Sequence, residues 1–151
     1  MPLDIKTLRR NPGDQMFTHF DPATGAQTCF AVTLIREHTS RLGDQYIFSA
    51  PIEPRMAKMI LMNRGIERPR LKRAIRTTYY DPLLYLEMPD GSHLLADGSH
   101  TYVAMFYKGI TWAKSFVVPP SIWNQFTISG LPAWESEEHL LQSFSGDPAN
   151  D

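Results

Sequence analysis

Apolar and polar positions switch between two periods along this chain, and the clearest switch falls between Leu83 and Val118. Leu83, Leu84, Tyr85, Leu86 and Met88 form an apolar run of strand length. Pro89-Asp90-Gly91 then supplies turn chemistry, and Leu94-Leu95-Ala96 returns as a second short strand, so the pattern predicts a hairpin. From Ser99 the spacing becomes helical, with Val103, Phe106 and Tyr107 on one face. Lys108-Gly109 closes that helix with a cation in the last turn and a glycine at its end. Asp97 or Ser99 is the expected N-cap. Trp112 to Val118 predicts another strand, stopped by Pro119-Pro120.

Upstream, Pro54 opens a predicted helix, because Met56, Met59, Ile60 and Asn63 follow at helical spacing and Gly65 ends it. Pro69 suits the first turn of the next, shorter helix. Phe30 to Ile35 alternates like a strand, with a loop over Arg41 to Asp44 and Tyr46-Ile47-Phe48 as its expected partner. Residues 1–28 carry two turn clusters, Asn11-Pro12-Gly13-Asp14 and Asp21-Pro22-Ala23-Thr24-Gly25, and predict an irregular arm or a loose hairpin. Near the other end Trp134, Leu140, Leu141 and Phe144 predict a helix over Glu135 to Ser143, followed by a frayed tail from Gly146. The expected organisation is therefore an arm over 1–28, a domain over 29–130, and an acidic helix and tail over 131–151. The expected fold class is α+β, a single domain with a small mixed sheet and helices. With 151 residues, 42% of them hydrophobic, the chain is long enough for a core and too apolar for a disordered segment.

The tetrad Asp97-Gly98-Ser99-His100 sits at the predicted strand-to-helix junction. Such a junction directs unpaired backbone N–H groups at whatever lies above the helix start, and an anion is the usual guest. Gly98 permits a sharp turn there and the close approach of a ligand.

Charge adds a second feature. The formal net charge is −1, yet eight of the 15 basic residues lie between Arg55 and Arg76: Arg55, Lys58, Arg64, Arg68, Arg70, Lys72, Arg73 and Arg76, against Glu67 alone. Such a block suits phosphate contacts to a nucleotide, or to DNA through Arg64–Arg76. The alternative is a solvated face, since Leu71, Ala74 and Ile75 would lie on the opposite side of the same helix.

Other chemistries find little support. The five histidines lack zinc-site spacing and Cys29 is the sole cysteine, which excludes an internal disulfide and suits a reducing cytoplasm. His93 and His100 flank the tetrad and could meet across it. There is no Gly-x-Ser-x-Gly elbow, no phosphate loop ending in Lys-Ser or Lys-Thr, and no dinucleotide fingerprint. No apolar run reaches membrane-spanning length, and the start of the chain lacks the apolar region of a signal peptide, so a cytoplasmic protein without a membrane partner is expected.

A strand carrying "LLADGSHTYVAMFYKG" followed by "WAKSFVV" resembles the ParB/sulfiredoxin-like domain, over roughly residues 30–128. In that family a strand, a Gly-x-His-Arg or Gly-Glu-Arg-Arg box, a helix and a strand build a nucleotide-phosphate site. By that resemblance Gly98 and the N–H groups of Ser99 and His100 hold a phosphate, Thr101 adds a hydroxyl, and Arg68, Arg70 or Arg73 supplies charge. Thr101 stands where the family usually has arginine. The resemblance further implies Asp97 as general base or ligand of a divalent cation, and His100 as phosphate donor or general acid. The cofactor would be Mg with a nucleoside triphosphate, and the chemistry phosphoryl transfer, nucleotide hydrolysis or nuclease action. Since 23 residues follow Ile128, too few for an added DNA-binding domain, the expected likeness is to stand-alone phage- and plasmid-type ParB-like proteins. The alternative is a catalytically inactive descendant of the fold that binds a protein partner or DNA.

Overall fold

The computed structural model describes residues 3–4, 15–21 and 25–129. The helix expected over Glu135 to Ser143 and the tail lie outside them. The architecture is α+β, as expected: among the described residues, five α-helices accompany two four-stranded sheets. The chain divides into two compact units, Met1–Leu42 with Pro119–Asp151, and Gly43–Val118.

In the first unit β2 (Phe17–Phe20) pairs antiparallel with β3 (Gln27–Phe30), with Phe17 opposite Phe30 and Phe20 opposite Gln27. Of the two expectations for this segment, an irregular arm or a loose hairpin, the described residues show a hairpin. β8 (Thr127–Ser129) lies on the other side of β3, and β1 (Leu3–Asp4) runs parallel to β8. Cys29, Ala31 and Ile128 are buried together, and the ring of Phe30 meets Trp123 edge-on at 5.3 Å.

The strand expected over Phe30 to Ile35 stops at Phe30, and α1 (Val32–Arg41) follows. Six apolar-rich residues fit either period, and the residues beyond them decide. Val32, Ile35 and Thr39 fall on one helical face and are buried, and the Thr39 hydroxyl donates to the Ile35 carbonyl at 2.7 Å. The partner assigned to that strand is also different. β4 (Ile47–Pro51) pairs antiparallel with β7 (Trp112–Val118), placing Ile47 opposite Phe116 and Pro51 opposite Trp112.

The second unit contains the sheet β4-β7-β5-β6. The predicted hairpin is present as β5 (Leu83–Glu87) and β6 (His93–Asp97), and its turn is held by Asp90, whose Oδ1 accepts from the backbone N–H of Ser92 at 2.9 Å and from its hydroxyl at 2.6 Å. Those two bonds hold the Asp90 carboxyl below its ordinary range. β7 lies parallel to β5 on its other side, reached from β6 through α4 (Ser99–Tyr107). Leu83, Tyr85, Leu95, Ala113 and Val117 pack with Ala57, Ile60, Tyr102, Val103 and Met105 in one core, while the alternate residues Leu84, Leu86, Phe116 and Val118 are buried on the other face.

Helices α2 (Pro54–Asn63) and α3 (Arg68–Arg76) begin with a proline in the first turn, which removes one N–H that would lack an intrahelical acceptor. Their N-cap residues, Glu53 and Glu67, make no side-chain cap. Side chains of α4 act in their place. The Tyr102 hydroxyl accepts from the Glu53 N–H at 2.9 Å, and His100 Nε2 accepts from the Glu67 N–H at 2.9 Å. The effect resembles the back-reaching half of a capping box, supplied by a neighbouring helix. Tyr102→Phe keeps the ring in the core and removes the acceptor, so a stability loss of about 1 kcal/mol is expected. Urea unfolding checks the magnitude, and faster amide exchange at Glu53 than at Glu67 checks the location.

Candidate functional site

The candidate site is assembled where β6 ends and α4 begins. Gly98 is the N-cap of α4 and adopts φ 108°, ψ 22°. A Cβ at this position would lie 2.6 Å from Leu83 Cδ2, so the glycine is required by the backbone turn and by a core leucine pressed against it. Gly98, rather than Asp97 or Ser99 as expected from the sequence, is the N-cap. The first intrahelical bond runs from the Tyr102 N–H to the Gly98 carbonyl at 2.7 Å, which leaves the N–H groups of Ser99, His100 and Thr101 without helical acceptors. Asp97, Gly98, Ser99, His100 and Thr101 are all half-buried.

The basic segment approaches this junction at two points. Arg64 Nη1 donates to the Leu95 carbonyl of β6 at 2.8 Å, and the His100–Glu67 bond joins the first turn of α4 to the start of α3. Arg68 follows Glu67 directly, and Arg70 Nη1 lies 3.9 Å from Glu67 Oε2. The other ends of the two helices also meet. Lys108, just after α4, donates from Nζ to the carbonyl of Thr77, the residue closing α3, at 2.8 Å, and to the Tyr80 hydroxyl at 3.0 Å. Its ammonium also stands 5.0 Å from the Tyr80 ring centroid.

Helices α3 and α4, nine residues each, therefore lie side by side and point the same way. Their dipoles add, with both positive ends beside Arg68 and Arg70 and both negative ends beside Lys108. The carboxyl ends are compensated by the lysine. At the amino ends neither helix has an acidic residue in its first turn, and Glu67 is the one carboxylate at a cap position. An anion would be stabilised there by backbone N–H groups, helix dipoles and arginine charge together.

No family model, curated protein or solved structure matches this chain.

The residues singled out in the sequence separate in space. Asp97 to Thr101 are continuous with the amino end of α3 through His100, and Arg68 and Arg70 belong to that end. Arg73 lies further along, where its carbonyl accepts from the Thr77 hydroxyl at 2.8 Å. His93 sits at the opposite end of β6 from Asp97, exposed, with its ring 6.4 Å from that of Tyr85, so the two histidines flanking the tetrad do not meet. Because His100 Nε2 accepts a backbone hydrogen, the ring carries its proton on Nδ1, the tautomer assigned by that bond. Among the described residues no group of three or more His, Cys, Asp or Glu side chains could hold a metal ion.

Sequence reasoning does not assign Glu67 or Tyr102 to the site, and names Arg64 only as part of the basic block. Their contribution is made by contacts to residues 31 to 49 positions away, and no local pattern announces such contacts.

No helix among the described residues is long and apolar enough to cross a membrane.

Proposed function

We propose that residues 43–118 form a ParB/sulfiredoxin-like nucleotide-phosphate-binding module whose cradle is the amino end of α4. The observation that carries this reading is the His100–Glu67 hydrogen bond, which brings a second helix amino end and its arginines to the tetrad. In this reading the N–H groups of Ser99, His100 and Thr101 bind phosphate oxygens, Thr101 adds a hydroxyl, and Arg68 and Arg70 neutralise charge. His100 is a positioning residue, because its Nε2 is engaged in holding α3. Asp97 would either hold a magnesium ion delivered with a nucleoside triphosphate, where the chemistry supplied is neutralisation of phosphate charge, or act as general base in phosphoryl transfer, nucleotide hydrolysis or nuclease action at this cradle.

Calorimetric titration of ATP, CTP and ADP, each with and without magnesium, tests the reading. Gly98 is a poor probe, since its replacement disturbs Leu83. Thr101→Arg and Arg68→Gln are better: the first restores a fixed charge and bidentate geometry and is expected to tighten nucleotide binding about tenfold, and the second to weaken it several-fold. Silence of the wild-type protein toward every nucleotide would overturn the proposal.

A further inference from the structure

We infer that the carboxyl-end half of the α3–α4 pair, away from the phosphate cradle, is a binding surface for single-stranded nucleic acid. The inference does not rest on the nucleotide reading, because it uses the opposite end of the helices and different side chains. Tyr79 and Tyr107 are 89% and 73% exposed, the highest values of any large hydrophobic side chain among the described residues. They adjoin Tyr80 and Lys108 in sequence, and those two residues are hydrogen-bonded to each other at 3.0 Å. Both rings therefore emerge from neighbouring backbone.

The carboxyl-end half of α3, which precedes Tyr79 in the chain, carries exposed cations. Lys72 and Arg76 lie four residues apart along α3 and are both exposed, so they share one helical stripe with a step of about 6 Å. Between Glu67 and Asp81 the chain has no acidic residue to neutralise that stripe. A cationic track ending at two open aromatic rings matches a polyphosphate backbone carrying bases with free faces. Duplex DNA satisfies the cations but keeps its bases stacked on one another. An acidic protein satisfies the cations and leaves the rings without a stacking partner.

The test is fluorescence anisotropy of a labelled oligodeoxythymidine of about a dozen nucleotides, titrated with the full chain at several salt concentrations. A duplex of equal length and a poly-glutamate peptide serve as comparisons. The single strand is expected to bind at least tenfold more tightly than the duplex. Tyr79→Ala with Tyr107→Ala is expected to weaken it more than tenfold, whereas Tyr79→Phe with Tyr107→Phe, which keeps both ring faces, stays within about threefold of wild type. Lys72→Gln with Arg76→Gln should lower the slope of log affinity against log salt by about 1.4, the value for two phosphate contacts to a single strand. All four side chains are exposed, so these variants should melt as the wild type does. Absence of binding at low salt overturns the inference, as does equal binding of duplex and single strand unaffected by the tyrosine pair. Poly-glutamate binding as tightly as the oligonucleotide also overturns it, in favour of an acidic protein partner.

Discussion

Replacing Gly98 by alanine is expected to lower stability by about 3 kcal/mol, a large fraction of what a domain of this size possesses. Two effects add. The backbone at φ 108° is in a region that L-residues occupy at a cost of about 1–3 kcal/mol. The new Cβ also falls 2.6 Å from Leu83 Cδ2, in a core already filled, and overpacking of this kind costs about 1–3 kcal/mol. Gly109 provides the internal control. It too has positive φ, 76°, but a Cβ there meets nothing within 4 Å, so Gly109→Ala should show the backbone effect alone, about 1 kcal/mol. Urea unfolding of both variants checks the difference. Leu83→Ala combined with Gly98→Ala should be less destabilising than the sum of the singles, because the shortened side chain no longer blocks the Cβ.

The second large effect is a loss of stability in alkali. Burial, followed by the neighbouring Tyr102 phenol and Glu53 carboxylate, pushes the Tyr85 phenol up to about 12. Burial raises Tyr102 as well, against the lowering effect of the bond it accepts from Glu53. In the unfolded chain both ionise near pH 10. Below pH 10 folded and unfolded states carry the same protons and stability is complete. Between pH 10 and 12 the unfolded chain releases the Tyr85 proton while the folded protein retains it, so unfolding becomes progressively favoured. The expected loss is about 1–2 kcal/mol for Tyr85 alone, allowing for solvent screening of a ring not fully shut off from water. Urea midpoints measured from pH 8 to 12 check it, and Tyr85→Phe should flatten the decline.

The elements surrounding the site were largely legible in the sequence because their signals are local. Pro89-Asp90-Gly91 between two apolar runs specified the β5–β6 turn, Pro54 and Pro69 marked the starts of α2 and α3, and Gly65 and Gly109 marked helix ends. Where the signal was short or depended on distant partners, reading failed. Phe30 to Ile35 supports either period, so its pattern does not distinguish the start of α1 from a strand, and nothing within Ile47 to Pro51 indicates that its partner is β7. The tetrad was found by its chemistry, but the reason for Gly98 is a leucine 15 positions earlier. Likewise, the imidazole read as a phosphate donor or acid at the cradle engages its Nε2 with the backbone of α3. A side chain that caps another helix and one that binds a ligand look alike in sequence, since both must be polar and placed near a helix start.

The strand order β4-β7-β5-β6 has a bearing on how the chain reaches this structure. β5 and β6 are joined by a short turn and can zip together within microseconds, and α4 then carries β7 back onto β5 over a modest loop. β4 must find β7 across some 60 intervening residues, including all of α2 and α3. Closing a loop of that length is rewarded only once the hairpin and α4 present a finished edge, so the edge strand β4, though the first of this sheet in sequence, is expected to dock last.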